Sequence, residues 1–417
     1  MAAVGSDLES VEVTARDLWV GGPPHELFKQ LRSGCPIHWT ESLEDFPDEA
    51  GFWSVTTPED IHTVSRDWRT YSSEDGITAA GVLPIELVRA MFIGMDPPKH
   101  DRLKALFQAG FTPRRIAAHE DAICAIVVKV LDRLEGPPAR EECDLVAELA
   151  QPVVARVIGS FMGIAEQDDE IWARLMNSTL GAGDPDINPD GIDGALEKDI
   201  PEVFERCKRL IAERRETPTD DLTSVLVHAV VEGEKLEEHE IVMGFFLLMA
   251  AGNDSTKATF CSAMRALMED SGQMQALLAD PSLVAGAVEE ALRMFPAFAH
   301  FRRTATRDTE LHGQKIRAGE KVVLWYASSN RDETRYENPD HFDVRRNPEH
   351  QAFGAGGRHF CLGTALARLE LRIMLEETLA RFPRMQLAGG AGGVGGPLYV
   401  ESPFINQLKL LPVRLAA

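Results

Sequence analysis

Residues 353–363 read Phe-Gly-Ala-Gly-Gly-Arg-His-Phe-Cys-Leu-Gly, a glycine-rich loop that delivers Cys361 directly into a helical pattern starting near Thr364. The N-terminus of a helix lowers the pKa of a thiol and so favours the thiolate that metal ligation requires. The glycines let the backbone approach a flat ligand and aim N–H groups at the sulfur. An isolated intracellular cysteine is usually a small buried hydrophobe, and it is the loop that favours a metal ligand at Cys361.

The composition is that of a globular protein with a sizeable core, since 44% of the 417 residues are hydrophobic and 26% are charged. The 43 basic and 66 acidic residues give a formal net charge of -23, so long-range forces repel nucleic acid and anionic membranes. The longest clearly apolar run, residues 241–251, falls short of the roughly 20 residues that a membrane span needs, and residues 1–10 show no secretory signal. We therefore expect a cytoplasmic protein without a membrane anchor. Its six cysteines form no CxxC pair, which argues against a disulfide framework and a structural zinc site.

Helical periodicity dominates the chain. It is clearest over residues 117–134, 152–162, 202–214, 237–268 and 363–382. Alternating patterns at 51–56 and 398–411 predict strands, and residues 311–324 predict a strand, a glycine turn and a second strand. No internal repeat or low-complexity linker divides the sequence. We expect a mainly α fold with a minor β portion, formed by one domain over residues 1–417 with no fused reductase or ferredoxin domain.

The predicted helix over residues 237–268 is apolar on all sides in its middle part, which is typical of a buried helix. Within it lies a polar run, Ala251-Gly252-Asn253-Asp254-Ser255-Thr256. Burying such polar side chains costs free energy unless they are hydrogen-bonded. A helix-capping cluster is the alternative explanation, but the apolar periodicity continues through Phe260 and Met264. The polar run therefore indicates a functional role.

Two further motifs are weak when taken alone. Glu290 and Arg293 share one helix face at i, i+3, and an exposed pair of this kind contributes only about 0.2–0.5 kcal/mol. His100 and Lys104 share a face at i, i+4 just after two prolines at a predicted helix start, and alone they favour a solvated basic face. Their position before the cysteine loop gives both motifs more weight.

With these motifs in this order, the chain resembles the cytochrome P450 family of haem-thiolate enzymes over nearly its whole length. In the commonest form of the family's cysteine loop a phenylalanine precedes the cysteine by seven residues, whereas Phe353 precedes Cys361 by eight. Aligned from the cysteine, His359 takes the usual basic position. The longer loop resembles a bacterial subgroup that includes hydroxylases of sterol side chains and methyl-branched lipids. The resemblance implies haem b (iron protoporphyrin IX) with Cys361 as its axial ligand.

The resemblance also implies that the polar run is an oxygen-activation groove. A small glycine, Gly252 here, kinks the helix in this family, and an acid followed by an alcohol delivers protons. Asp254 takes the acid position, while Ser255 stands where threonine is more usual and Thr256 follows it. A hydroxyl group that can both donate and accept a hydrogen bond is therefore retained at position 255.

Further residues are implied to hold the haem or the fold beneath it. By resemblance, His100, Lys104 and Arg303 hold the haem propionates. Lys104 stands where arginine is commoner in the family, so the positive charge is retained but the bidentate hydrogen bonding of a guanidinium is not. Glu290 and Arg293 form a buried structural network with an arginine of residues 330–348. We predict Arg346 as this third partner, with Arg345 as the alternative.

The resemblance predicts an O2-dependent monooxygenase that inserts one oxygen atom into an apolar substrate. Among such substrates we favour a steroid, a terpenoid or a branched lipid over a plain fatty acid, because the residues expected to touch it are mostly apolar. These residues are Met249, Ala250, Gly252, Ala297, Phe298 and Phe404, together with the loop over residues 77–92.

Electrons are expected from a separate ferredoxin and ferredoxin reductase, so NAD(P)H acts only indirectly, through these partners. We expect the protein to be a monomer. The partner would dock on the cysteine side, where six arginines offset the negative net charge: Arg102, Arg114, Arg115, Arg358, Arg368 and Arg372. Two alternatives stay open. A peroxide-driven hydroxylase lacks the acid and alcohol that Asp254 and Ser255 supply, and a non-catalytic haem sensor would show no oxygen consumption driven by an electron donor.

Overall fold

The computed structural model describes residue 8 and residues 11–43, 46–81, 83–136, 141–181, 183–231, 233–388 and 395–415. Helices take up 54% of the chain, which confirms the predicted mainly α fold. Within the described ranges the helices are α1 His25–Gly34, α2 Pro58–Arg66, α3 Ile85–Ala90, α4 Lys99–Gln108, α5 Pro113–Ala117, α6 Glu120–Glu135, α7 Gln151–Met162, α8 Asp169–Leu180, α9 Gly191–Gly194, α10 Ile200–Glu216, α11 Leu222–His228, α12 Glu238–Glu269, α13 Ser271–Ala279, α14 Val284–Met294, α15 Tyr326–Ser329 and α16 Thr364–Arg381.

The minor β portion consists of short strands. They are β1 Ile37–Thr40, β2 Phe52–Val55, β3 Tyr71–Ser72, β4 Glu142–Asp144, β5 Val230–Val231, β6 Glu234–Lys235, β7 His300–Ala305, β8 Thr309–Leu311, β9 Gln314–Ile316, β10 Lys321–Trp325, β11 Gln386–Leu387, β12 Leu398–Tyr399, β13 Leu408–Leu410 and β14 Pro412–Arg414. The largest sheet has five strands in the order β1-β2-β10-β7-β3, with only β2 and β10 parallel. The glycine turn expected within residues 311–324 joins β8 to β9, where His312 and Gly313 both have positive φ, as tight hairpin turns require.

Helix α12 is the structural centre of the molecule. A capping box between Glu237 and Glu240 starts it, and its 32 residues give it a length of about 48 Å. It packs against α7, α8, α10, α14 and α16, which explains why its middle part is apolar on every side. Gly252 permits the close approach of α7, because a Cβ atom there would lie 2.8 Å from Ile158 Cδ1. Among the described residues, no helix combines the length and the hydropathy needed to span a bilayer.

Candidate active site

The cysteine loop owes its shape to its glycines. Gly354, Gly356 and Gly357 have φ values of +93°, +81° and +79°, in the left-handed region that side chains rarely adopt. Gly357 also lies against α2, since a Cβ atom there would be 2.5 Å from the Ser65 carbonyl oxygen. The backbone N–H of Cys361 donates to the Phe353 carbonyl over 2.9 Å and closes the loop. The loop thus holds its conformation through backbone contacts that do not use the cysteine thiol.

Lys104 anchors the same loop from α4. Its Nζ donates to the carbonyl oxygens of Arg358, at 2.5 Å, and Phe360, at 2.7 Å. Burial raises the pKa of the Cys361 thiol, while a hydrogen bond from the Gly363 backbone and the charges of Lys104 and Arg368 act in the opposite direction. Burial is the largest of these effects, so the pKa of the thiol is raised on balance, and the cations and the backbone N–H offset only part of that rise.

The thiol opens into a cavity of about 210 Å³ between the loop and α12. The lining residues include Ala251, Gly252, Ser255, Thr256, Arg303 and Cys361. A second cavity of about 710 Å³ shares Leu247, Ala251, Phe298 and Phe301 with the first and extends toward the loop over residues 75–88. The two cavities together form an apolar space that runs from the sulfur outward.

The inner cavity holds cationic and donor groups that lack an anion. Arg303 is 5% exposed and donates to the Arg302 carbonyl at 2.7 Å, and in the described part of the chain no carboxylate forms an ion pair with it. His100 is buried, and its Nε2 has no hydrogen-bond partner, while Nδ1 lies 3.0 Å from Asp101 Oδ1. A buried guanidinium needs a counter-charge. A flat ligand with carboxylate groups, held at Cys361, fits this set of residues.

His359 lies beside these groups. Its ring is 4.3 Å from that of His100, and its Nε2 is 3.1 Å from Ser73 Oγ. Burial, followed by the charge of Arg303, holds the pKa of His359 well below 6.5, so this histidine is neutral at neutral pH. Its ring is held by Ser73 and by a hydrogen bond to the Met95 backbone, and it adds no charge to the cavity.

The three polar residues predicted on α12 point in different directions. Thr256 and Ser255 line the inner cavity, although Ser255 Oγ already donates to the Ala251 carbonyl at 2.8 Å. Asp254 is fully buried, is absent from the cavity wall and forms an ion pair with Lys257. The structure therefore brings the two alcohols to the cavity but turns the acid away from it.

Glu370 is a residue that the sequence analysis missed. It lies on α16, lines the inner cavity, is 4% exposed and is hydrogen-bonded to the Thr256 side chain. Its Oε1 has no partner. Burial raises the pKa of Glu370 to about 8, so the carboxyl that faces the cavity is protonated at neutral pH.

Replacing Glu370 with glutamine tests this protonation state. A carboxyl whose pKa rises from 4.5 to about 8 on folding makes the wild type lose stability as the pH rises through that range, because only the folded state keeps the proton. Since glutamine does not titrate, Glu370→Gln should gain stability relative to the wild type across this window, by roughly 5 kcal/mol at about 1.4 kcal/mol per pH unit. Denaturant unfolding between about pH 5 and pH 9 measures the difference. The control Glu376→Gln removes a half-buried carboxyl of the same helix, paired with Arg372, and should lack this gain. Parallel curves for Glu370→Gln and the wild type would contradict the assignment.

The predicted structural network lies beneath the cavity. Glu290 and Arg293 are fully buried and form a bidentate pair at 2.7 and 2.8 Å, and Arg293 also donates to the Asn330 carbonyl at 2.8 Å. Arg346 Nε lies 3.2 Å from Glu290 Oε1, whereas Arg345 is exposed. The structure thus places Arg346 rather than Arg345 beside the pair.

The predicted substrate-contact residues divide into two groups. Gly252, Ala297 and Phe298 line the inner cavity, and Ala250, Phe298 and Phe404 line the outer one. Met249 is 2% exposed, packs in the main hydrophobic core and lines neither cavity, so its assignment is corrected. Because successive helical residues are about 100° apart, the faces that carry Leu248 and Ala251 point to the cavity and the face of Met249 does not.

A cysteine that opens into an apolar cavity, beside the buried Arg303 guanidinium that has no ion-pair partner among the described residues, fits a haem-thiolate site. The family model described as Cytochrome P450 matches residues 192–387. The methyl-branched lipid omega-hydroxylase of Mycobacterium tuberculosis (strain CDC 1551 / Oshkosh) is 34% identical over 414 residues, covering 97% of this chain and 95% of the relative. The steroid C26-monooxygenase of M. tuberculosis (strain ATCC 25618 / H37Rv) is 35% identical over 416 residues, covering 98% of each protein.

Solved structures show the same likeness. The Mycobacterium marinum cytochrome P450 CYP268A2 in complex with pseudoionone superposes with a TM-score of 0.90 at 35% identity, covering 99% of this chain and 100% of the other. The chain therefore belongs to the cytochrome P450 family. It is a haem-dependent monooxygenase, which confirms the predicted fold, cofactor and reaction class.

Proposed function

We propose that this chain hydroxylates a large apolar substrate, a steroid, a terpenoid or a branched lipid, with Cys361 as the axial ligand of haem b. The observation that carries the proposal is the pair of adjacent, mostly apolar cavities, which share wall residues and of which the inner one contains the Cys361 sulfur. An apolar surface gains about 25 cal/mol per Å² on burial, so a rigid polycyclic ligand can bind without an ionic anchor. The names of the related lipid and steroid hydroxylases support the same substrate class.

The residues of the inner cavity take the following roles in this proposal. Cys361 binds the iron, and Arg303 and His100 bind the propionates, with the neutral His359 beside them. Lys104 acts mainly through the loop, because its ammonium already donates to two loop carbonyls. When bound, the haem supplies activation of O2, which the electron-donating thiolate favours.

Proton supply falls to the polar side chains of α12. Ser255 and Thr256 lie at the cavity wall and can pass a proton inward, while Asp254 is the acid behind them. The lining of the space around them is mostly apolar. An acid and alcohols at these positions favour a monooxygenase driven by O2 over one driven by peroxide.

The cations near the outer cavity argue against a free fatty acid. Arg89 pairs with Asp75 at 2.6 Å, Lys321 pairs with Glu49, and Arg302 donates to the Asp75 carbonyl at 2.7 Å. A fatty-acid carboxylate would have to displace the acid that pairs with Arg89 or with Lys321, and a neutral substrate avoids that cost. Arg302 differs, because its Nε has no hydrogen-bond partner and no carboxylate of the described residues forms an ion pair with it.

Spectral titration of the ferric protein tests the substrate class. Steroids and terpenoids should shift the haem from low to high spin at micromolar concentrations, and Phe298→Ala should weaken their binding by about tenfold because an aromatic contact is lost. The control Leu398→Ala removes an exposed side chain outside both cavities and should change nothing. A shift with small aromatic acids alone, abolished by Arg89→Ala, would contradict the proposed substrate class.

We further propose one catalytic domain, active as a monomer, that receives electrons from a ferredoxin on the cysteine side. Five of the six arginines predicted there are paired with acids, for example Arg358 with Asp101 at 2.8 Å and Arg368 with Glu289 at 2.6 Å. Phe360, next to Cys361, is 43% exposed. The charges of the docking face are therefore largely compensated, and Phe360 adds an apolar contact. We expect these charges to orient the ferredoxin rather than to attract it strongly.

A further inference from the structure

Two consecutive arginines of β7 border different cavities. Successive residues of a strand point to opposite faces of the sheet. Arg303 lies in the wall of the inner cavity, whereas Arg302 lies in the wall of the outer one. Because the Cys361 sulfur belongs to the inner cavity, Arg302 is placed beside a bound substrate rather than beside the cofactor.

Arg302 is a buried cation whose hydrogen-bond acceptors are all neutral. It is 8% exposed. Its Nη2 donates to the Asp75 carbonyl at 2.7 Å and to Thr304 Oγ1 at 3.3 Å, and its Nη1 donates to the Thr78 carbonyl at 3.4 Å. Its Nε is buried and has no partner. Arg302 therefore keeps donor capacity that the protein does not use.

The acids near Arg302 are bound to other cations. Glu49 forms an ion pair with the buried Lys321. Asp75 forms an ion pair with Arg89 at 2.6 Å. Burial lowers the pKa of Arg302, and the charges of Glu49 and Asp75 oppose this effect only in part. The wall of the outer cavity thus holds a positive charge that is not fully compensated, and an acceptor atom of a bound ligand would stabilise it.

The unused donors of Arg302 favour a single acceptor atom over a carboxylate. A guanidinium has five N–H groups, and a carboxylate binds two that are parallel. Every parallel pair of a guanidinium includes Nη2, and both N–H groups of Nη2 already have acceptors in Arg302. The unused N–H groups, on Nε and Nη1, are not parallel. The oxygen of a ketone is neutral and needs only one donor, so it fits this arrangement.

The loop over residues 75–81 fixes the guanidinium before a ligand binds. Gly76 has a φ value of +128°, and a Cβ atom there would lie 2.9 Å from Arg302 Nη1. The glycine therefore lets the loop lie directly on the guanidinium, where the carbonyls of Asp75 and Thr78 orient it. A donor that is fixed in advance loses little conformational entropy on binding.

We propose that Arg302 binds a ketone oxygen at one end of the substrate and so determines which end reaches Cys361. This inference rests on the proposed function, because it concerns the orientation of the same apolar substrate. Arg302 lines only the outer cavity and Cys361 only the inner one, so the carbon that is hydroxylated lies away from the ketone. Among steroids, terpenoids and branched lipids, the proposal selects those that carry a ketone far from the reacting carbon.

Spectral titration of the ferric holoprotein with matched ligands tests the proposal. Each pair is a ketone and a hydrocarbon of the same skeleton: cholestanone with cholestane, and farnesylacetone with the hydrocarbon in which a methylene group replaces the carbonyl. In at least one pair, the wild type should bind the ketone about tenfold more tightly, because a hydrogen bond to a charged donor contributes at least that factor. Equal dissociation constants within both pairs would overturn the proposal.

Arg302→Met separates ligand binding from a structural role. The ratio of the two dissociation constants should fall close to one in this variant, even if a looser loop weakens both ligands. A purely structural role would lower both affinities and leave the ratio unchanged, and that result would also overturn the proposal. The control Arg89→Met removes an exposed arginine beside the same loop and should keep the wild-type ratio.

Product analysis of the wild type keeps the proposal testable if Arg302→Met does not fold. The ketone of the preferred pair should be hydroxylated at the end away from its carbonyl, whereas its hydrocarbon should give a mixture of products from both ends. Hydroxylation of the ketone next to its carbonyl would overturn the proposal while the proposed function stands. If no member of either pair shifts the haem spin state, the proposed substrate class fails, and the role of Arg302 fails with it.

Discussion

Cys361→Ala is expected to fold and to lose completely the red-shifted absorbance of the ferrous carbon monoxide complex, together with hydroxylation. The shift requires electron donation from a thiolate, which alanine cannot supply. The loop should keep its shape, because the Cys361 N–H bond to Phe353 and the Lys104 bonds to two carbonyls do not involve the sulfur. The absorbance spectrum of the reduced variant under carbon monoxide gives the answer directly.

Cys124→Ala is the matched control for this experiment. Cys124 is half-buried on α6, and its Sγ contacts Glu377 on α16, away from both cavities. The control should keep the red-shifted band and its activity. A Cys361→Ala protein that retained the band would remove Cys361 from the ligand position.

Glu290→Ala is expected to leave little haem-loaded protein. It removes one partner of a fully buried ion pair and leaves the positive charges of Arg293 and Arg346 without their counter-ion. The expected loss in the free energy of unfolding is roughly 3–5 kcal/mol. It also removes the acceptor of the Asp343 backbone N–H, at 3.2 Å. A loss of roughly 3–5 kcal/mol is a large part of the free energy of unfolding of an ordinary domain. Arg293→Ala should have a similar effect.

The exposed pair Glu205–Lys208 has the same i, i+3 spacing on α10 and provides a control. Glu205→Ala should leave yield, haem content and the denaturation midpoint unchanged, since an exposed pair contributes little. Purified yield and haem-to-protein ratio measure both variants. Equal values for Glu290→Ala and Glu205→Ala would show that the buried network does not stabilise the fold.

The sequence predicted the helices that position the site because their patterns depend on local periodicity. The five helical segments correspond to α6, α7, α10, α12 and α16, with ends shifted by at most a few residues. The cysteine loop was also predictable from the sequence, because the three glycines that adopt positive φ form a glycine-rich stretch before Cys361. Local rules therefore predicted these helices and the glycine-rich loop that carries Cys361.

The directions of side chains on α12 were not predictable in the same way. Because this helix is packed on all sides, no polar face marks the side that borders the cavity, and Met249 was assigned to the cavity although it packs in the core. The contacts of Lys257 with Gln151 and Asn177, which are far away in sequence, could not be predicted either. Long-range packing of this kind leaves no periodic signal.

Glu370 could have been found from the sequence. Leu366, Glu370, Ile373 and Met374 follow the i, i+4, i+7, i+8 spacing of one helix face, and all four are buried. A lone glutamate on an apolar stripe marks a buried carboxyl, which in a helix bordering a cofactor cavity is a functional candidate. Its raised pKa then follows from burial.

Product analysis under isotopically labelled O2 is the most direct test of the central claim, that this chain is a monooxygenase acting on an apolar substrate. The holoprotein, supplied with a ferredoxin, its reductase, NAD(P)H and a steroid or terpenoid that shifts the haem spin state, should give a hydroxylated product. Mass spectrometry should find one labelled oxygen atom in it. A ligand that shifts the spin state without any reductant-dependent oxygen consumption, or a product whose oxygen comes only from added peroxide, would contradict the account.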